Sequence, residues 1–475
     1  METLVRKRGL LVGATLVFAV ILASMALSAL LAGGVALLVA EKPAQAAFPG
    51  ANGKIVFSSD RSTGAGVDNP TRDDEIFKVN PDGTGLTQLT HNTTIDVDPE
   101  VSPDGSKVVF SRLVGTAPEA VTQFFTMPIT GGTPTQITHF TDRRHIQNPA
   151  WSPTGTKIVY AGHPFLSNMH VPDALEIYTI PVSGGTPTRL TNNSHMDHEP
   201  VWSPNGTKIA YSSQRNVVTI PASGGTPINV ENDATLFSRE PDWSPDGTKI
   251  AFTGTMGAPQ DDDIYTVPAS GGTPINLTGS LDSGPPGPDP NDNEQAPAWS
   301  PNGTKIVYQD ETETIFDEDQ FINSFTLTVI PASGGTPTQV TKDPNLEGMQ
   351  DRFPDWQAID RTPPKVTSTN PANTAPGVAA GANVIATFSE AMKASTINTT
   401  TFNLKKSGTS TVLSATVNYN ATTKQATLNP SANLQSGATY VATVTTGAKD
   451  LAGNSLDQNP TTAGNQAKTW SFRVG

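Results

Sequence analysis

The sequence predicts an all-β protein: a six-bladed β-propeller closed by pairing of the N- and C-terminal strands of the propeller segment, with a β-sandwich after it. Three observations carry this reading. A ten-residue phrase recurs, as VSPDGSKVVF from Val101, WSPTGTKIVY from Trp151, WSPNGTKIAY from Trp202, WSPDGTKIAF from Trp243 and WSPNGTKIVY from Trp299. Partial copies stand at the two ends of that region and complement one another. A final segment of about 110 residues lacks the phrase but carries short alternating strands. Self-similarity at a period of roughly 40–50 residues marks a solenoid, a propeller or an array.

Each phrase has a local physical meaning. Pro-Asp-Gly, Pro-Asn-Gly or Pro-Thr-Gly makes a tight turn, because Pro presets φ and Gly accepts φ > 0. The Lys-Ile-Val-Tyr type of run that follows is β-branched and alternating, hence a strand. The Trp before the turn ends another strand. A third strand is expected at 75–79, 176–180, 264–267 and 327–330. Gly-rich turns follow some third strands at 183–187, 223–227, 270–274 and 333–337, and another lies at 130–134. Fourth strands are expected at 87–90, 135–138, 188–191, 275–278 and 338–341. Four short antiparallel strands are one propeller blade.

Closure follows from the incomplete copies. The first, NGKIVF from Asn52, lacks its Trp strand, and the last, PheProAspTrpGln at 353–357, has only that strand. Trp356 beside Lys54–Phe57 completes a sixth blade and hides two sheet edges that would otherwise invite aggregation. The repeated Trp151, Trp202, Trp243, Trp299 and Trp356 are expected in the core.

These repeats resemble those of TolB-type propellers, also found in prolyl oligopeptidases, over about residues 48–360. The resemblance implies a six-bladed fold and, for TolB itself, binding of a lipoprotein partner. In propellers of this kind the loop entering each innermost strand opens on one mouth of the central channel. Counting back from the Trp position gives three rows there. Four before it stand Val97, Gln147, His198, Arg239, Gln295 and Arg352. Three before it stand Asp98, Asn148, Glu199, Glu240, Ala296 and Phe353; five before it, Asp96, Ile146, Asp197, Ser238, Glu294 and Asp351. A constant frame with varying side chains is what a recognition surface on a repeat scaffold requires. The candidate partner-binding residues are therefore Asp96, Asp98, Gln147, Asp197, His198, Glu199, Arg239, Glu240, Glu294, Asp351 and Arg352.

The chain has 475 residues and no cysteine, which rules out disulfides and Cys-based metal or nucleophile chemistry. Its formal charge is −14 and unevenly placed. Residues 48–360 carry 17 Lys and Arg against 39 Asp and Glu, or −22, whereas 361–475 carry 9 against 3, or +6. An acidic propeller lacks the basic face that nucleic-acid binding needs. Arg6-Lys7-Arg8 precedes an uncharged apolar run, Gly9 to Ala40, and Ala44-Gln45-Ala46 offers a cleavage site. Residues 1–46 are thus expected to be a signal peptide or an N-terminal membrane anchor, with 47–360 as propeller beyond the cytoplasmic membrane. Contact with a membrane is expected only through the N-terminal segment, if it is not cleaved.

After the Pro-rich junction Asp360–Pro364, residues 361–475 show strand patterns at 383–388, 401–404, 415–419, 425–428, 439–444 and 469–474. ThrPheSerGluAlaMet at 387–392, LeuGlnSerGlyAlaThrTyr at 434–440 and LysAspLeuAlaGlyAsn at 449–454 resemble the bacterial Ig-like domain first described in S-layer proteins. That resemblance implies an Ig-like β-sandwich used for spacing or adhesion. Glu390 and Lys449-Asp450 are read as turn-capping residues rather than ligands.

No G-x-S-x-G, P-loop, H-E-x-x-H or dinucleotide motif is present. All seven histidines lie between His91 and His198, with His195-Met-Asp-His198-Glu199 the densest metal-like cluster. Asp289 to Asn293 has the start of a calcium-loop spacing but fails at the glycine and at position 12. Asp261–Asp263 and 310–319 read as solvated acidic loops. No cofactor is expected, although a divalent cation is compatible with the acidic loops. The resulting expectation is an extracytoplasmic binding or scaffold protein that recognises an envelope protein or glycan. The alternatives are a metal-dependent polysaccharide lyase or hydrolase using His198, and a passive surface-layer component.

Overall fold

The computed structural model describes residues 50–475, apart from 116–119, 142–144, 164–174, 257–261, 280–292, 318–319, 343–347, 422 and 451; for 312–317 and 320–322 it describes the backbone alone. The expected leader, 1–46, lies outside the described residues. Among those described, no helix is long and apolar enough to cross a membrane. Among the described residues regular structure is almost all strand, with one short 3-10 turn at Ala394–Thr396. The chain divides into two compact units, one ending at Ala358 and the other spanning Ile359–Gly475.

The first unit contains six four-stranded sheets. In sheet two the order is Asp96–Val101, Lys107–Val114, Val121–Pro128, Thr135–Gln136, each pair antiparallel. Sheets three to six repeat this plan with innermost strands Ile146–Trp151, Asp197–Trp202, Leu236–Trp243 and Glu294–Trp299. Sheet one is assembled from both ends of the region: Asp351–Ile359 lies beside Ala51–Ser59, followed by Glu75–Val79 and Thr87–Gln88. Gln357 ties these ends together. Its Oε1 accepts from the Lys54 backbone N–H at 3.3 Å, and its Nε2 donates to the Gly105 carbonyl at 2.8 Å. Gly53 permits the approach, since a Cβ there would lie 2.7 Å from the Gln357 carbonyl oxygen.

The core consists of separate apolar clusters, each shared by two neighbouring sheets. Val56, Ile76 and Phe110 join sheets one and two; Phe124, Trp151 and Tyr160 join two and three. Trp202, Trp243 and Trp299 sit at the next three junctions, and Trp356 lies with Ile55, Phe57 and Leu327 between sheets six and one. The five repeated tryptophans are at most 6 % exposed. The turn geometry follows the sequence: Gly105 has φ 67°, and its N–H donates to the Ser102 carbonyl at 2.8 Å.

Fourth strands are shorter than expected, two residues each. The reason is the second Thr of each Thr-x-x-Thr-like run. Its hydroxyl, at Thr90, Thr138, Thr191, Thr278 and Thr341, accepts a third-strand backbone N–H at 2.8–2.9 Å. A side chain thus replaces the next ladder bond. In sheet four the same place is taken by Glu231, whose Oε1 accepts from the Val217 N–H at 2.5 Å.

The second unit packs two four-stranded sheets around one cluster that includes Val384, Phe402, Leu404, Leu428, Trp470 and Phe472. Two strands there escape a pattern reading, Val366–Asn370 and Ala375–Val378. The latter pairs parallel with Lys468–Val474, and both are too exposed to alternate clearly.

Candidate functional site

Each innermost strand carries a Pro two residues before the Trp position, and the ladder shifts register there, as between His198 and Val201 or Arg239 and Asp242. Pro lacks an N–H and suits a bulge on an edge strand, which each innermost strand is. The residue before the Pro takes a left-handed backbone in all six sheets: Asp98, Asn148, Glu199, Glu240, Ala296 and Phe353 have φ between 50° and 60°. Side chains usually avoid this region at a cost of about 1–2 kcal/mol each.

The compensation is visible in the hydrogen bonds. Asp98 Oδ2 accepts from the Asn148 N–H at 3.2 Å, Glu199 Oε2 from the Glu240 N–H at 2.8 Å, and Glu240 Oε2 from the Ala296 N–H at 2.7 Å. Every bulge residue named here as an acceptor therefore holds the bulge of the following sheet. Where Ala296 has no acceptor, Gln309 Oε1 takes the Phe353 N–H at 3.3 Å. A second set of links runs one residue before the Trp. Glu100 accepts from the Trp151 N–H at 2.5 Å, Asp242 from Trp299 at 2.6 Å, and Asp355 from Val101 at 2.7 Å.

The expected recognition residues consequently separate by row. Asp98, Glu199 and Glu240 are buried links between sheets. Asp96, Asp197 and Asp351, five before the Trp, are fully buried. Asp96 is bound by Arg112 at 2.5 and 2.6 Å, and that guanidinium lies near the rings of Phe110 and Phe125. Asp351 repeats the arrangement with Arg61, beside Phe57 and Phe77. Asp197 accepts from Asn193 and Ser213, both at 2.6 Å. Glu294 and Gln147 are buried in their strands. Arg352 lies 5.1 Å from the Phe325 ring centroid and donates to Gln350.

Of the expected set, His198 and Arg239 line one cleft among the described residues. Its volume is about 540 Å³, and Ser212, Arg215, Phe237, Ser238, Thr255, Asp262 and Asn293 complete it. Three sheets contribute. Arg239 forms a two-pronged pair with Asp262, at 2.5 and 3.2 Å. Burial pushes the Asp262 carboxyl up, but Arg239, Thr255 and Gln295 overcome it and hold the group below the usual range. Glu199 behaves alike: burial raises it, and the His198 charge with the Ser212 and Glu240 donors brings it below normal. Glu231 beneath Ser238 is pushed up to about 7 by burial, against its bonds to Ser238 and Val217.

Arg215 and Phe237 escaped the reading from the Trp frame, and Asp262 and Asp263, expected in a solvated acidic loop, are buried in the strand Asp262–Pro268. Arg215 stands in the turn between second and third strands of sheet four, where Ser213 pairs with Asn216 across two residues. Gln214 and Arg215 have φ 51° and 67°, the geometry of a type I′ hairpin turn. That turn favours Asn-Gly, so Gln-Arg gave no hairpin signal.

His195, Asp197, His198 and Glu199 do not gather three ligand atoms. Among the described residues such a group occurs at Asp360, Glu390 and Asp450, within 4.8 Å of one another. Asp450 is engaged by Asn454, through its backbone N–H at 2.8 Å and its Nδ2 at 2.9 Å, which caps a turn. Burial and the charges of Asp360 and Asp450 push Glu390 up to about 7. The stretch 289–292 and Asp261 lie outside the described residues.

Comparison with known proteins places these features. Residues 360–474 match the family model described as bacterial Ig-like domain. A Protein TolB homolog of Chlorobium chlorochromatii is 28% identical over 152 residues, 31% of this chain and 30% of that protein. An uncharacterized protein of Agrobacterium fabrum is 30% identical over 134 residues, 28% of this chain and 39% of that one. The crystal structure of TolB from Acinetobacter baumannii aligns with a TM-score of 0.48 and 19% identity, covering 64% of this chain and 67% of that chain. The match spans only about a third of the length of the curated relatives. The chain thus joins TolB-like propeller repeats to a bacterial Ig-like domain.

Proposed function

We propose that the six sheets form one closed six-bladed propeller, and that the protein is an extracytoplasmic scaffold of the cell envelope that captures a partner at the propeller's channel mouth. In this reading the Ig-like domain spaces the propeller from its anchoring surface. One observation supports the binding role above others: the cleft of about 540 Å³ built by His198, Arg215, Phe237 and Arg239 on a frame otherwise uniform from sheet to sheet. Its size lies in the range of small recognition pockets. Similarity to TolB homologues supports an envelope setting, and the basic, then apolar, start of the sequence supports export.

A photo-crosslinking residue tests this. Placed at the exposed Met256, which follows the cleft residue Thr255, it is expected to give a discrete adduct in the native envelope. Placed at the exposed outer-strand Ile228, it is expected to give none. Equal labelling from both positions, or none from Met256, would overturn the proposal.

A further inference from the structure

The cleft at sheets four, five and six contains a cation that, among the described residues, is seated on an aromatic ring. The Arg215 guanidinium carbon lies 4.3 Å from the Phe237 ring centroid. Arg61, Arg72, Arg112, Arg189 and Arg239 each have a carboxylate within 4 Å. No such carboxylate lies beside Arg215 among the described residues. This is notable in a region of net charge −22.

The acids around the cleft are already engaged. Asp262 accepts from Arg239, Thr255 and Gln295; Glu199 from Ser212 and the Glu240 N–H; Glu231 from Val217 and Ser238. What the cleft offers a ligand is therefore the Arg215 guanidinium; Arg239 and His198, whose side chain is 30 % exposed, line the same cleft.

The backbone also singles out this corner. The turn after Ser213 has two residues, whereas sheets three and five make the corresponding connection from Gly162 to Glu176 and from Met256 to Asp262. The short turn keeps Arg215 at the rim in a left-handed conformation, a form of strain that clusters at ligand clamps. The Arg215 carbonyl is fixed by the Ser238 N–H at 2.9 Å, which ties the turn to the strand bearing Phe237.

We infer that this cleft binds a carboxylate on an acidic peptide segment of a protein partner, with Arg215 stacked on Phe237 as the anchor and Arg239 and His198 as walls of the cleft. The inference rests on the channel-mouth reading above and names its ligand chemistry. A guanidinium held flat on a ring keeps its planar fork free to meet a carboxylate, with less freedom to lose. A peptide is favoured over a glycan because the guanidinium occupies the ring face on which a sugar would stack. Exposed Met256, next to the cleft residue Thr255, further supplies adaptable apolar surface for peptide side chains. The acidic surroundings oppose the ligand at long range, so the attraction acts at contact, inside the screening length.

Panning a random heptapeptide display library on the intact protein tests the idea. Enriched peptides are expected to share an Asp or Glu next to an apolar residue. Their synthetic forms should bind Arg215→Gln at least tenfold more weakly than wild type, and should lose binding when the acid is replaced by its amide. A Gln214→Asn, Arg215→Gly variant, whose turn is relaxed, controls for folding and should also fail to bind. Absence of enrichment, enriched peptides without an acid, or unchanged affinity in Arg215→Gln would each overturn the inference. So would a uronic-acid tetrasaccharide that binds in an Arg215-dependent way while the peptides do not. If crosslinking from Met256 persists in Arg215→Gln, the channel-mouth proposal stands and only this inference falls.

Discussion

The two units of this chain solve the same problem, burying a β-sheet's apolar face, with opposite use of charge. In the repeat unit many acids are buried, among them Glu100, Glu176, Glu199, Glu240, Asp242, Asp351 and Asp355. In the C-terminal unit the buried acids are Asp450 and Asp457. The difference traces to architecture. The sandwich has one continuous apolar cluster and needs little else. The repeat unit has a cluster at each sheet junction, and its innermost strands leave backbone N–H groups without a ladder partner. Carboxylates reaching from one sheet to the next satisfy them. Acid excess in this region is therefore partly structural, beyond its effect on solubility.

Removing the anchor at one junction should have the largest effect. Trp243→Ala is expected to lower stability by about 3–5 kcal/mol in urea denaturation, because a nearly buried indole leaves a cavity. A loss below about 1 kcal/mol would mean the junctions are not the core.

Next comes the contrast between a bridging and a local carboxylate. Asp242→Ala strands the buried Trp299 N–H and should cost about 1–3 kcal/mol. Asp450→Ala removes bonds confined to its own turn and should cost about 1 kcal/mol or less. Equal losses would erase the distinction drawn between the two units.

A pH titration sharpens it further. Glu231 has a folded-state pKa of about 7, above its ordinary value of 4.5. Between those values the folded state holds more protons than the unfolded one, so this group's contribution falls as pH rises through the window. Glu231→Gln has no charge to bury. Its stability relative to wild type should climb by on the order of 1–2 kcal/mol from pH 4 to pH 8. A flat difference would place Glu231 outside the buried network.

The smallest effect concerns the turn at sheet four. Replacing Gln214-Arg215 by Asn-Gly should stabilise the protein by about 1 kcal/mol, since both positions have positive φ. A destabilised variant would show that Arg215 contributes to the fold beyond its contact with Phe237.

Much of the frame was legible in the residues. The Trp phrase located the innermost strands, and the repeated Gly marked the φ > 0 turn position, as at Gly105. The candidate site was legible only in part. His198 and Arg239 came from the right row, but the rows on either side turned inward. Alternation along a strand foretells that neighbours face opposite ways; it does not say which face meets the next sheet. The repeated X-Pro before each Trp was the available clue to the bulge, and the repeated Thr ending each fourth strand was the clue to its short ladder.

The sequence by itself determined the repeat length, the strands and turn of the repeated Trp phrase, the buried tryptophans and the change of architecture near residue 360. These depend on local periodicity and on Pro and Gly dihedral limits, which act within a few residues. Tertiary structure alone decided that Glu199 and Glu240 bridge sheets, that Arg215 lies on Phe237, and that Asp262 neutralises Arg239. Those pairings join residues from different strands and sheets, so their energies depend on distances and solvent exclusion that exist only once the sheets have packed.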